Sequence, residues 1–359
     1  MDKELINALK SEIDNLDVNM TFMEVCGTHT MSIGKIGLRS ILGEKVKLIS
    51  GPGCPVCVTP SNYIDYVYAL SLHKSVSVIT YGDMLRVPGS SPSISLEKAK
   101  ALGADIRIVY SAIDSIDIAL NNKDKQFVFL GIGFETTIPS TCILLDEIIS
   151  KKIRNLKIMS LHKRVEPVMK KLIEDSELNI DGFLCPGNVA VIIGEKGFKF
   201  LENYKKLGVI GGFEGDDIIS SIIELICNRK ENKYTLLNNY GRFVNYDGNE
   251  LAMEFINRYF EFEKAPWRGI GIIEDSGYRL KSEFKEVDIF IEYPLDEVIG
   301  LINYEKKKYI CKCGEILKGK ISPKECESFG DICNPSFPIG PCMVSSEGTC
   351  SAYYKYERR

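Results

Sequence analysis

Val46-Lys47-Leu48-Ile49-Ser50-Gly51-Pro52-Gly53-Cys54-Pro55-Val56-Cys57-Val58-Thr59-Pro60 is the stretch that decides the fold. Its first four residues form a short apolar run of the kind that becomes a buried strand. Glycines and prolines then shape a tight, exposed turn that carries two cysteines. Thr59 suits a helix N-cap and Pro60 a first helical turn, so the chain passes from strand through loop to helix.

The same cycle recurs outward from this unit. Apolar runs at Val76 to Thr80, Arg107 to Tyr110, Phe127 to Ile132, Lys157 to Ser160, Gly182 to Leu184 and Gly208 to Ile210 read as strands. Each is followed by a loop and a helical pattern. Ser95 caps one short helix that stops at Gly103, Ile113 to Leu120 forms another, and a third runs to about Ser150. Alternating strands and helices imply parallel sheets built from βαβ units. The span from 24 to 230 is too long for one ordinary sheet, so two similar α/β domains around a cleft are expected. Gly133-Phe134-Glu135 and Gly212-Phe213-Glu214 each end a strand and open a helix, a hint of duplication.

Outside this region the pattern changes. Leu5, Leu9, Ile13 and Leu16 recur at helical spacing over 2–17. Glu250 to Glu263 reads as one longer helix, and Asp288 to Ile291 as a strand. From Ile310 the chain is rich in Cys, Gly and Pro, and such a segment needs a metal or crosslinks to hold it. The expected domains are therefore 24–125, 126–235, and a Cys-rich C-terminal part over 236–359 joined by the N-terminal helix within 1–20.

A net charge of -4 and a pI near 5.7 give no long-range attraction to nucleic acid or anionic membrane. No apolar run reaches the length of a bilayer-spanning helix. The opening Met1-Asp2-Lys3-Glu4-Leu5 lacks the layout of a secretory signal, which points to the cytoplasm. There the 12 cysteines serve ligation or redox chemistry rather than a disulfide framework. No Gly-x-x-x-x-Gly-Lys-Ser/Thr loop is present, and Gly131-Ile132-Gly133 lacks a third glycine in register, so a nucleotide-driven enzyme is not indicated.

In parallel sheets ligands collect beyond the carboxyl ends of the strands. The loops at those ends carry Cys26 and His29, Cys54 and Cys57, Asp83, Glu135, Pro186-Gly187-Asn188 and Glu214, which converge if both domains open to one cleft. Cys54-Pro55-Val56-Cys57 at a helix start suits reversible disulfide formation; half of a zinc site and a pair of inert core thiols are the alternatives. Cys26 with His29 could be a nucleophile, a soft-metal ligand or packed core. The tail thiols Cys311, Cys313, Cys326, Cys333, Cys342 and Cys350 supply enough ligands for a 4Fe-4S cluster or a structural zinc, with the cluster favoured. Cys142, Cys185 and Cys227 lie in apolar surroundings and read as core, His73 as a residue without a functional role, and His162 stays open.

Met23-Glu24-Val25-Cys26-Gly27-Thr28-His29-Thr30, Gly51 to Pro60, Tyr81 to Gly89, Gly133 to Thr137 and Pro341 to Gly348 resemble, in order and over almost the full chain, the HypD family of nickel–iron hydrogenase maturation proteins. The resemblance implies a scaffold on which the Fe(CN)2CO unit of the hydrogenase active site is assembled. It implies work with a small HypC-like chaperone and a HypE-like cyanide donor; a chain monomeric alone is expected separately, because nothing in the sequence suggests a self-complementary interface. By the same resemblance Cys26 would bind iron with His29 and Asp83 beside it, and Cys54 and Cys57 would form a redox-active dithiol. The tail would hold a 4Fe-4S cluster, for which Cys326, Cys333, Cys342 and Cys350 are the chosen ligands, because Cys311 and Cys313 lie too close together to share one cubane. Electrons would then reach iron at Cys26 from the cluster by way of Cys54 and Cys57. The family pattern has His where this chain has Asn188. The rival reading is an iron–sulfur thiol–disulfide oxidoreductase acting on a protein disulfide, for which Cys26 is dispensable.

Overall fold

A computed structural model of the chain describes residues 2–74, 76–302 and 311–357. Within it lie two wholly parallel sheets. The first has the order β2-β1-β7-β8-β9, from Met20–Glu24 (β1), Val46–Ser50 (β2), Gly182–Pro186 (β7), Leu207–Gly211 (β8) and Leu236–Asn238 (β9). The second has the order β4-β3-β5-β6, from Ser77–Thr80 (β3), Ile106–Ile108 (β4), Phe127–Gly131 (β5) and Leu156–Ser160 (β6). β5, β7 and β8 are buried at every position, as expected of strands covered by helices on both faces.

Two α/β units with a Cys-rich C-terminal region are thus present, but the predicted boundary at 125/126 is corrected. β3 pairs with β4 on one side and with β5 on the other, so that boundary would cut one sheet in two. β1 pairs with β7, although β2 to β6 lie between them in sequence. The chain leaves the first sheet after β2, builds the second over 77–160, and returns. Alternating βα units reveal parallel pairing, not which sheet each strand joins. The two Gly-Phe-Glu segments do follow central strands, β5 in one sheet and β8 in the other.

The opening helix Lys3–Asp14 packs its Leu9 and Ile13 with Ile219, Ile222 and Ile226 of the helix Gly215–Lys230, covering the first sheet. The core between the sheets takes residues from both and extends to Cys313, Cys333, Cys342 and Cys350. Cys142 and Cys185 are fully buried, as expected of core residues, whereas Cys227 is half-buried. His73 is exposed in the last turn of Ser61–His73. That helix has Pro60, not Thr59, as its N-cap residue; the Thr59 hydroxyl bonds back to the Pro55 carbonyl at 2.9 Å.

Two expectations in the third region change. The helix from Glu250 ends at Tyr259, and Phe260–Trp267 (β10) pairs antiparallel with Gly271–Leu280 (β11). Asp288 to Ile291 is a helical turn, Ile289–Glu292, whose N-cap Asp288 accepts from the Phe290 amide at 3.0 Å. A lone bridge from Ile158 to Asp288 is all the strand character there. The hairpin is a strut. Its β11 residues Ser276 and Tyr278 bond the backbone of Arg164 and His162, and at its tip the Arg268 amide donates to Val58 at 2.8 Å. Residues 303–310 of the predicted third domain lie outside the described residues.

His162 is structural. It is buried, with Nδ1 3.1 Å from the Ser160 hydroxyl and Nε2 3.3 Å from the Thr141 hydroxyl. Burial lowers its pKa to about 3. In the unfolded chain it titrates near 6.5, so below that pH only the unfolded state gains the proton, and stability falls with pH. Between about pH 7.5 and pH 4.5 the wild type is expected to lose about 2–3 kcal/mol more than His162→Gln. Urea denaturation of both proteins at the two pH values measures the difference.

Candidate functional site

Cys26 follows β1 and is the N-cap residue of the helix Gly27–Lys35. A helix N-terminus favours a thiolate. Here burial outweighs it: the thiol is pushed up to about 11, with the Glu347 carboxylate adding to the rise and the His29 and Thr28 amides opposing it. Cys26 therefore carries its proton at neutral pH, and a metal binding there must displace that proton.

Gly53 lies directly on Cys26. A Cβ at Gly53 would stand 2.5 Å from both N and Cα of Cys26. Beyond the strands the pairing continues through the Gly51 amide, which donates to Glu24 at 2.8 Å, and the Gly27 amide, which donates to Gly53 at 3.4 Å. The two sulfur loops are thus one unit. Cys54 and Cys57 are joined as a disulfide with Cα atoms 5.2 Å apart, at the start of the helical turn Pro55–Val58, and both are buried.

The tail closes over this unit. Its helical turn Pro341–Val344 packs on Pro55–Val58. The Thr28 hydroxyl donates to Glu347 at 3.0 Å, and a Cβ at Gly27 would lie 2.6 Å from the Cβ of Glu347. Ser345 donates to Asp83 at 2.8 Å and accepts from the Glu347 amide at 3.3 Å. Asp83 itself is exposed in the 3-10 turn Gly82–Arg86 after β3. Burial raises the Glu347 pKa, and Asp83 adds to the rise.

All six tail thiols line one pocket of about 10 Å³, with Ile316, Phe329, Ile339 and Met343. Cys311 faces Cys313, Cys313 faces Cys342, and Cys342 faces Cys350. The two thiols set aside on sequence grounds thus share the pocket wall with the chosen four. Among the described residues no three His, Cys, Asp or Glu side chains converge on a position for a single ion. Thiols arrayed around a common space could hold a multi-iron group, which takes one thiolate per metal. The narrow pocket admits such a group only with the side chains rotated outward.

Other predicted residues stand apart. His29 is fully buried, its Nε2 2.9 Å from the Gly212 carbonyl and its ring stacked on Phe213 at 4.6 Å. Burial lowers its pKa to about 4, and its Nδ1 has no partner. One turn of helix aims it at the loop after β8. Glu135 is also buried, accepting from the Val165 amide at 3.0 Å, and burial raises its pKa to about 7. Asn188 and Glu214 are exposed, Asn188 bonding the Val189 amide and Glu214 forming the N-cap residue of Gly215–Lys230. The converging set is therefore Cys26, Cys54, Cys57, Asp83 and the tail. Glu347, Ser345 and Thr28 were not singled out in the sequence; their only signal was membership of the motifs that carry the family resemblance.

Among the described residues no helix is long and apolar enough to cross a membrane. Residues 1–357 match the sequence profile of the family described as "HypD: Hydrogenase formation hypA family". The chain is 39% identical over 354 residues to a putative hydrogenase expression/formation protein of Methanocaldococcus jannaschii, covering 98% of this chain and 95% of that one. It is 36% identical over 367 residues to the hydrogenase maturation factor HypD of Escherichia coli, covering 99% and 95%. To the hydrogenase maturation factor HypD of Cupriavidus necator it is 39% identical over 345 residues, covering 94% and 89%.

Proposed function

Since the chain belongs to the HypD hydrogenase-formation family, we propose that it is a hydrogenase maturation factor, a scaffold on which the Fe(CN)2CO unit of a nickel–iron hydrogenase is assembled. Iron is the cargo and Cys26 its ligand. A HypC-like chaperone is the partner in iron binding, and a HypE-like protein delivers cyanide. Soft thiolate donors suit iron bearing cyanide and carbonyl.

One observation carries this reading: Gly53 joins the Cys54–Cys57 loop to Cys26, and Pro341–Val344 joins the same loop to the tail thiols. The chemistry of the six-thiol donor set suits a 4Fe-4S cluster, for which Cys326, Cys333, Cys342 and Cys350 would be the ligands and which when bound would supply one-electron transfer. Opening the Cys54–Cys57 disulfide takes up two electrons and two protons, and reclosing returns them beside Cys26. Thr28 and Ser345 hold the Glu347 and Asp83 carboxylates at the edge of the iron site, where the Cys26 proton must leave. A disulfide exchanger acting on a protein needs an accessible sulfur, whereas Cys54 is 3% and Cys57 0% exposed.

The test is Cys57→Ala, produced anaerobically with the HypC-like partner. The cyanide and carbonyl infrared bands are expected to fall by about tenfold or more if the dithiol supplies electrons to assembly. Bands of wild-type intensity would sink that role.

A further inference from the structure

Arg39 joins three elements that are far apart in sequence. Its side chain is 15% exposed, and its Nη2 makes an ion pair with Glu24 Oε1, a carboxylate with no exposure. Nη1 donates to Glu357 Oε1 at 2.5 Å, and the guanidinium lies 4.7 Å over the Tyr353 ring. Nε and Nη2 also reach the Leu48 carbonyl and the Ser50 hydroxyl, each at 3.5 Å. Glu24 accepts from Ser50 at 2.7 Å and Thr30 at 3.4 Å, so it is fixed to β2 and to the helix that Cys26 caps. Tyr353 and Glu357 belong to the C-terminal helix Thr349–Tyr356 and its end, which carry Cys350 and follow directly on Ser345 and Glu347.

We propose that Arg39 is a positioning residue that sets the register of the C-terminal helix against β1, and so keeps the Ser345–Glu347 segment over Cys26. A buried ion pair is weak as a source of stability and best attested as a device of register. Only a guanidinium fork meets two carboxylates and a ring at once; a lysine is a point charge. Besides this network the C-terminal helix packs on the helix Gly27–Lys35, where a Cβ at Gly34 would meet Tyr356 at 3.2 Å, a close fit but not a directional one.

The inference takes from the proposed function only that Cys26 is the working thiol. It is tested on the purified full chain without iron, so a failed maturation assay and a failed register test are told apart. Three variants are compared with wild type: Arg39→Lys, the pair Arg39→Met with Glu24→Gln, which removes the fully buried Glu24 charge together with its partner, and Glu357→Gln, which keeps the Glu24 pair intact. The readouts are thermal midpoint, deuterium exchange across 349–357, and the alkylation rate of Cys26 by mass spectrometry. The paired variant is expected to unfold within a few degrees of wild type, yet to alkylate Cys26 about tenfold faster and exchange the C-terminal helix faster. Arg39→Lys is expected not to restore protection, and Glu357→Gln to shift both readouts in the same direction. Wild-type alkylation and exchange in the paired variant and in Glu357→Gln would overturn the proposal. So would a uniform rise in exchange across both sheets, which marks a merely structural role.

Discussion

Cys342→Ala is expected to abolish iron–sulfur absorption and maturation together, and to leave residues 311–357 open to proteolysis. Cys342 has no exposure and its thiol lies between those of Cys313 and Cys350. It sits on the turn that packs on Pro55–Val58, and Gly348 rests on its carbonyl, where a Cβ would come within 2.2 Å. All six tail thiols face one space, so a bound group would tie together the segments that carry them. Where metal binding is coupled to folding, its loss reaches on the order of 10 kcal/mol. Cys227→Ala, a half-buried thiol on the helix Gly215–Lys230, is the control and should change stability by less than about 1 kcal/mol. Limited proteolysis and visible spectra of the two variants check both halves of the expectation.

Gly53→Ala should be almost as damaging, by a different route. The added Cβ would meet Cys26 N and Cα at 2.5 Å and the Val25 carbonyl carbon at 2.6 Å. All three are backbone atoms and cannot rotate aside. Gly53 is not among the positive-φ residues, so space is the whole of the demand. Overpacking costs about 1–3 kcal/mol where side chains can yield, and more where they cannot. The alternative is for the two sulfur loops to part by about 1 Å, a displacement that can cost about 100-fold in a positioned reaction. Gly82→Ala, whose Cβ would meet only Ile108 at 3.8 Å, should retain activity. Comparing maturation of the host hydrogenase by the two variants separates crowding at Cys26 from a general intolerance of alanine.

Much of the fold was legible because buried parallel strands write themselves as short apolar runs; Phe127–Gly131 is one, enclosed on every side. Sheet membership was not, since it depends on pairings such as Phe22 with Gly182. β1 escaped notice because its Glu24 looks like a surface charge until Arg39 is seen to neutralise it. The hairpin strand Phe260–Trp267 opens on the alternation Phe-Glu-Phe-Glu and contains Pro266, period-two and helix-breaking signals that a helix drawn to Glu263 overruns. Asp288 to Ile291 shows that a four-residue apolar run does not distinguish a strand from a helical turn.

The sulfur motifs were plain in the sequence, and their mutual contact was not. Ser345 meets Asp83 across 262 residues and Thr28 meets Glu347 across 319, separations no local pattern encodes. His29 shows the converse: three residues from Cys26, it is turned by the helix toward Gly212 and Phe213. The family resemblance placed it beside Cys26, while its hydrogen bond ties it to the loop after β8.

The central claim is that iron carrying cyanide and carbonyl is assembled on Cys26. Infrared spectra of anaerobically purified wild type and Cys26→Ser, each produced with the HypC-like partner, test it most directly. The account predicts cyanide and carbonyl bands in the wild type and none in the variant, with the visible absorption of the tail unchanged between them. Bands of equal intensity in Cys26→Ser would contradict it.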